Sequence, residues 1–389
     1  MANNNDKKVL NVPALRFPEF TGEWEKCKLS KVCSFFSGGT PPSSNKEYYN
    51  GNIPFIRSGE LHNDETELFI TKEGLDNSAA KMVEVGDLLL ALYGATSGDI
   101  AISKIKGAIN QAILCIRTKQ NKKFVESVWN KHVARLLQTY LQGGQGNLSA
   151  DIVKNIPFYF TNIEEQNKLA RFISLLDQRI AAQNKIIEDL KKLKSAIIEI
   201  EYSPKDSYHS HIGGAIVQIS KRNKDNHLCN VLSVSNRQGF IKQSEQFEDR
   251  NVASDDTSNY KIVEKNDFAY NPARINVGSI ARLTKFETGI VSPMYICFRT
   301  KDCLLPEYLE LFFESRNFFY HIQKRLEGSV RLCLSYEELC NIPIVIPSIE
   351  KQKQVDLHLS KLAQKIDLEM KILQFVQQQK TYLLHQMFI

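Results

Sequence analysis

The sequence predicts an α+β protein in which two pseudo-symmetric mixed segments are joined by two long antiparallel helices paired as a coiled coil. Three observations carry this prediction. Residues 155–198 can be laid on 341–384 without a gap, sharing Asn-Ile-Pro and an Ile-Glu-x-Gln that follows it. Each copy then runs on with apolar residues at alternating spacings of four and three, the signature of a helix with a paired seam. Ahead of each copy lie short apolar runs punctuated by Gly, Pro and Asn, which read as strands and turns.

At 389 residues the chain exceeds one ordinary core. The expected divisions are a first globular domain over 1–160, a central helix over 161–203, a second globular domain over 204–346 and a distal helix over 347–389. Residues 1–12 are expected to be disordered. The composition, 42% apolar and 24% charged, is that of a soluble globular protein. A formal charge of +6 suits a nucleic-acid partner without requiring one.

No apolar run is long enough to span a bilayer, and the start lacks a secretory core, so a cytoplasmic protein with no membrane partner is expected. None of the eight cysteines is spaced as C-x-x-C and most sit in apolar segments, as buried, reduced thiols would. His209 and His211 have no cysteine or carboxylate placed to complete a metal site, so none is expected.

The first helical seam is Leu169, Ile173, Leu176, Ile180, Ile187, Leu190 and Ile197, interrupted at Gln183 and Lys194. The second is Val355, Leu359, Leu362, Ile366, Leu373, Val376 and Leu383, interrupted at the equivalent positions Glu369 and Lys380. An antiparallel pair would join Lys194 to Glu369 and Gln183 to Lys380, giving each polar group a partner and fixing the register. A helix of about 38 residues is roughly 57 Å long, a stiff spacer.

The globular segments also repeat. Asp87 precedes Gly98 by the spacing at which Asp267 precedes Gly278, and an Ile-Ala follows soon after each glycine. Cys115-x-Arg117-Thr118-Lys119 answers Cys297-x-Arg299-Thr300-Lys301, and Leu148-Ser149 answers Leu334-Ser335. Over residues 125–141 the period turns helical, with Val125, Val128, Trp129, Val133, Leu136, Leu137 and Leu141 on one face.

Catalytic signatures are missing from the sequence: it has no Gly-x-Gly-x-x-Gly, no phosphate-binding G-x-x-x-x-G-K-[ST], no H-E-x-x-H and no G-x-S-x-G. DNA contact is better supported. Ser37-Gly38-Gly39-Thr40 reads as a tight loop whose exposed amides and hydroxyls meet phosphates. Arg57 and Ser58, Tyr93, Thr96 and Ser97, and Gln145 and Asn147 add polar side chains on turns. In the second segment Arg237, Gln238, Lys242, Gln243, Asn271, Arg274, Asn276 and Arg331 are the types that read base edges. Lys221, Arg222, Lys224 and Arg282 suit phosphates better.

In order along the chain, Phe35 to Pro41, Glu47-Tyr48-Tyr49 with Ile53-Pro54-Phe55-Ile56, Gly86-Asp87-Leu88-Leu89 and Gly146-Asn147-Leu148-Ser149 resemble a target-recognition domain of type I restriction–modification specificity subunits. Ile163-Glu164-Glu165-Gln166 and Ile349-Glu350-Lys351-Gln352 resemble the openings of that family's two long helices. The resemblance covers nearly the whole chain. It implies that each domain reads one half of a split, asymmetric double-stranded DNA target while the helix pair sets the gap. It implies two modification subunits, which use S-adenosylmethionine, and two restriction and translocation subunits, which use ATP and Mg. The chain itself would be non-catalytic and hold no cofactor. The second domain departs from the pattern, lacking the Ser-Gly-Gly-Thr-Pro loop and carrying Tyr270 to Arg274 where the first has 90–94. The alternative is a pseudo-dimeric transcription regulator binding its operator unaided.

Overall fold

Short apolar runs between turn residues become strands, and their non-local pairing builds the same two sheets twice. The structure, a computed structural model, describes residues 10–141, 148–203, 210–236, 238–246, 256–328 and 332–389. It divides into two units, Met1–Asn184 with Lys371–Ile389, and Lys185–Met370, so that each unit takes part of both long helices.

In the first unit one sheet runs Cys33–Ser37, Ile113–Thr118, Leu88–Ala91, Ile100–Ile102, all antiparallel. The other runs Phe69–Ile70, Tyr49–Ile56, Gly107–Ile109, Lys81–Val83 around a parallel central pair, with Phe55 opposite Ala108. The second unit repeats this strand for strand. Its first sheet is Ile216–Ile219, Ile296–Thr300, Phe268–Tyr270, Ile280–Arg282. Its second is Gly239–Lys242, Val231–Ser235, Thr288–Val291, Lys261–Glu264, again with a parallel central pair.

The strand Leu88–Ala91 is unbroken apolar sequence because both its faces are covered. Leu88 and Leu90 pack with Phe124 and Trp129, whereas Leu89 and Ala91 face Ile56 and Ile109. Phe268–Tyr270 divides its side chains in the same way, Phe268 and Tyr270 to one core and Ala269 to another.

The repeated landmarks prove to be polar joints. Asp87 accepts the Glu84 amide at 3.0 Å and the Arg117 guanidinium at 2.7 Å. Asp267 accepts the Glu264 amide at 2.7 Å and Arg299 at 2.6 Å. Gly98 and Gly278, at φ 85° and 87°, close the turns that follow with a backbone only glycine adopts readily. Leu148 and Leu334 donate their amides to the Leu92 and Pro272 carbonyls, and Ser149 and Ser335 cap the short helices that follow.

The helix read over 125–141 spans Lys122–Leu141 and buries Val125, Val128, Trp129 and Leu136. Its counterpart is split into Pro306–Phe312 and Arg316–Arg325, because Ser315 accepts the Phe318 amide and starts a new helix. Residues 1–9 lie outside the described set, but 10–12 are not the disordered tail expected: Trp24 donates to the Asn11 carbonyl at 2.8 Å. Cys115 and Cys297 are buried and their thiols pushed up to about 12 by desolvation, while Cys229 and Cys303 are exposed, against expectation. Among the described residues no helix is long and apolar enough to cross a membrane.

The two long helices, α1 (Ile163–Glu201) and α2 (Ile349–Met387), are 39 residues each. A glutamine with no exposed surface anchors the first turn of both. Gln166 donates to Thr161 O and Gln120 Oε1, each at 2.7 Å, and accepts the Asn121 amide at 3.1 Å. Gln352 donates to Pro347 O at 2.8 Å and Cys303 O at 2.9 Å, and accepts the Leu305 amide at 2.8 Å.

Within the first unit Leu169 and Ile173 share a core with Met387 and Phe388, and Asp177 meets Lys380 at 2.5 Å, so the helices run in opposite directions. Within the second unit Ile198 shares a core with Val355 and Leu359, and Glu201 lies 3.5 Å from Lys351, with the same antiparallel sense. The lysine partners differ from those expected. Lys194 pairs with Glu314 at 2.6 Å rather than Glu369, and Lys380 with Asp177 rather than Gln183. Glu369 meets Lys365 at 2.6 Å. Burying an ammonium in an apolar seam costs several kcal/mol, so long lysine stems reach its wet edge instead. Gln183 and Glu369 stay buried, 9% and 7% exposed.

Replacing Gln166 or Gln352 by alanine strands buried donors and acceptors and is expected to cost about 2–3 kcal/mol. Calorimetric melting of each variant measures this, and a loss below about 0.5 kcal/mol would show that the anchor is dispensable.

Candidate nucleic-acid interface

The sequence-predicted contact residues fall into groups with different fates. Gln145, Asn147, Arg237 and Arg331 lie outside the described residues. The loop from Ser37 is not the open loop expected. Ser37 ends a sheet strand opposite Leu114, and Gly39 is buried. A Cβ on Gly38 would overlap the Ile109 carbonyl, and one on Gly39 would overlap Ala79. These glycines let the chain pass closely from one sheet to the other, and Thr40, exposed, reaches Gln111 at 2.5 Å.

Arg57 is held at 2.7 Å by Glu60 and at 2.8 Å by Glu67, and Ser58 begins the turn between them. Burial pushes the Glu60 carboxyl up. Hydrogen bonds from the Arg57 side chain and amide, from Thr66 and from the Glu67 amide outweigh this and hold it at about 2. With two carboxylates on one guanidinium, this corner has no positive charge to offer a phosphate. Arg282 is likewise committed, to Glu307 and, at 2.9 Å, to Glu310. Asn271 is buried, and its side-chain oxygen accepts the Ala273 amide at 3.1 Å, so it builds the turn and faces away from solvent.

The structure brings other candidates together. Tyr93, Thr96 and Ser97 sit on the turn between Leu88–Ala91 and Ile100–Ile102, where Ser97 bonds Leu92 O at 3.0 Å. Arg274 and Asn276 sit on the equivalent turn between Phe268–Tyr270 and Ile280–Arg282. Arg274 is exposed, and no ion pair is found for it among the described residues. The hairpin Val231–Ser235 with Gly239–Lys242 comes alongside, since Ser279 donates to Val234 O at 3.2 Å. Its tip carries exposed Gln238, and Lys242 and half-buried Gln243 lie at the far end of its second strand.

Lys221, Arg222 and Lys224 form the rim of an open groove floored by Asn223, Leu228 and Ile262. Asn223, fully buried, bonds Leu228 at both ends of its amide and so shapes the loop. His227, which is not among the candidates that the sequence offers, lines the same groove. The signal was there, a histidine within the basic run 221–227.

Residues 21–192 match the family model described as the type I restriction modification DNA specificity domain. Over this stretch, less than half of its length, the chain is similar to that domain. It is similar to two specificity subunits of Methanocaldococcus jannaschii type I restriction enzymes, MjaVIII (24% identical over 48% of this chain) and MjaIX (26% over 47%). The chain spans 42% and 45% of the length of these relatives. In fold it is similar to the type I restriction–modification S subunit from M. genitalium, with a TM-score of 0.57 and 15% identity, covering 97% of this chain and 99% of that one. A stand-alone transcription regulator is not favoured. The second unit lies mostly outside the matched residues, and its two four-stranded sheets repeat the strand order of the first.

Two outcomes are expected. Exchanging Lys221 and Arg222 together for glutamine should lower duplex affinity and flatten its salt dependence by roughly 2 in log–log slope, while Arg57→Gln leaves both unchanged. Fluorescence anisotropy over a salt series reads this. Acid titration tests the Glu60 site. Its pKa is depressed on folding, so its stabilisation is present above the ordinary glutamate range and drains as pH falls toward about 2. Glu60→Gln should remove that part of the acid slope in pH-dependent unfolding.

Proposed function

We propose that the chain is the DNA-specificity subunit of a type I restriction–modification complex, one unit reading each half of a bipartite, asymmetric target. The observation that carries this reading is a duplicated frame bearing unlike surfaces. The strand order, the Asp–Arg joints and the buried glutamines recur, whereas the turn that carries Tyr93, Thr96 and Ser97 in one unit carries Arg274 and Asn276 in the other. Unlike readers select unlike half-sites.

The number of turns in α1 and α2 then fixes the unread gap. Half-sites about one helical turn of DNA apart, roughly 34 Å, leave about 5–8 unread base pairs. The chain would be non-catalytic and hold no cofactor. Two modification subunits using S-adenosylmethionine, and two restriction subunits using ATP and Mg, would supply the chemistry.

Support for docking comes from the outer faces of the helices. Leu175, Ile186, Leu193 and Ile200 on α1 are 45–72% exposed, and Leu357, Leu368, Phe375 and Tyr382 on α2 are 51–68% exposed. Both stripes follow the same spacing. Apolar stripes left bare along a helix are costly unless a partner covers them, and two matching stripes suit two copies of one partner.

Sequencing methylated DNA from cells carrying this chain and its methylating partner tests the reading. A split motif with unlike halves is expected, and a continuous or palindromic one would refute it. Lengthening α1 and α2 by one turn each should preserve the half-sites and widen the gap.

A further inference from the structure

The turns that carry the candidate contact residues are each tied to the other sheet of their own unit, and the two ties differ in chemistry. In the first unit the turn 92–99 is held from behind by Gly98 N on Ala91 O and by Trp129 Nε1 on Gly98 O, each at 2.8 Å. A side chain holds it from the front. Asp99, next after the left-handed Gly98, has its two carboxylate oxygens 2.9 and 3.0 Å from His62 Nε2. His62 follows the short helix Ser58–Glu60, in the connection between Tyr49–Ile56 and Phe69–Ile70. Lys104, beyond the strand Ile100–Ile102, donates to His62 O at 3.0 Å, so both ends of that strand grip the same residue. The Asp99 amide donates to Thr96 O at 2.9 Å, which links the brace to a candidate contact residue.

The second unit builds the same joint without a titrating group. Ser279 follows the left-handed Gly278 and donates its amide to Arg274 O at 3.1 Å, again a candidate contact residue. Its hydroxyl donates to Val234 O at 3.2 Å, on the hairpin of the other sheet. A hydroxyl on a carbonyl is indifferent to pH between about 6 and about 9, whereas an imidazole on a carboxylate is not.

We propose, on the bipartite function given above, that His62 is a positioning residue: through Asp99 it sets the turn 92–99 on its half of the target, and its proton tightens that half alone. A charged imidazole donates a bond roughly twice as strong as a neutral one. The Asp99 carboxylate, and more weakly Glu126 on the helix Lys122–Leu141, hold His62 above the ordinary histidine range, while partial burial and the Lys104 ammonium oppose them. The brace is therefore at full strength below about pH 6.5 and slackens as pH rises through the raised value. Because the His62 ring is largely exposed, the pair adds little to overall stability, and its effect lies in where the turn stands.

Methylation by this chain with its methylating partner, on duplexes randomised in one half-site or the other at about pH 6 and about pH 9, tests this. In one half, preference for the best sequence over the next should fall about three- to fivefold at the higher pH, and in the other it should hold. His62→Gln, which keeps a neutral donor, should show the lower preference at both pH values with an unchanged melting temperature. Ser279→Ala should lower preference in the other half only, equally at both pH values. In the free chain, proton NMR should show a histidine, absent in His62→Gln, that titrates above the ordinary range and returns to it in Asp99→Asn. A split motif whose halves respond alike to pH, a pH effect that persists in His62→Gln, or one half answering to both variants would overturn the proposal and leave the two half-sites standing. An ordinary titration of His62 would overturn it whatever the DNA shows. A motif that is not split would overturn both the brace and the bipartite function.

Discussion

A buried glutamine amide at the start of each long helix is the constraint on which the rest depends. Gln166 and Gln352 each bind three backbone or side-chain groups, tying the helix to the strand that leads into it and to the segment before the neighbouring helix. Glutamine fits the role because one planar amide donates twice and accepts in the same plane. Glutamate would lose both donors, and an apolar residue would strand the groups that Gln166 and Gln352 satisfy. The direction in which each helix leaves its domain is therefore set at one residue. On the proposed function, a chain that sets a spacing needs that angle fixed more than it needs added stability.

The two Asp–Arg joints do related work inside the sheets. Asp87 and Asp267 each hold a tight turn through a backbone amide and at the same time clamp the arginine on the adjacent strand. Their charges are consumed internally. The same holds for Arg57 and Arg282, each wrapped by two carboxylates. Formal charge thus overstates what the surface can offer an anion, and the usable positive groups are those with no ion pair among the described residues, such as Lys221, Lys224 and Arg274, although Asp225 lines the groove beside the first two.

Much of the frame was legible in the sequence because duplication marked it. Ile-Glu-x-Gln, the Asp-to-Gly spacing and Leu-Ser before Asn-Ile-Pro all recur, and all turned out to be joints. The heptads gave the helices, since periodicity survives in sequence regardless of what surrounds it. Sheet topology was not legible. The parallel pairing of Phe55 with Ala108 joins strands that have Leu88–Ala91 and Ile100–Ile102 between them in the chain, and no local pattern records it. The contact residues were the least legible. Asn271 has the composition of a base reader, yet its own turn claims it, and Arg57 could be discounted only once Glu60 and Glu67 were seen around it. Lys194 and Lys380 stand at seam positions by their spacing, but their length carries their charges to the edge.

The asymmetry of those lysines bears on how the duplication diverged. Lys380 finds Asp177 on the facing helix, but the position equivalent to Asp177 is Ala363, so Lys194 turns to Glu314 in its own globular segment. In the first unit Asp177 also takes Lys123 at 2.7 Å, linking both long helices to the helix Lys122–Leu141 through one carboxylate. Burial raises the Asp177 carboxyl, but Lys123 and Lys380 together outweigh it and hold the group below the ordinary aspartate range. The second unit has no carboxylate at that position and its corresponding helix is broken at Ser315. Divergence has therefore reached the edges of the helix seam while its buried positions, Gln183 and Glu369 among them, stay polar in both copies. On the proposed function, selection for a fixed spacing would act on the seam and the anchors and leave the edges and the sheet turns free to change.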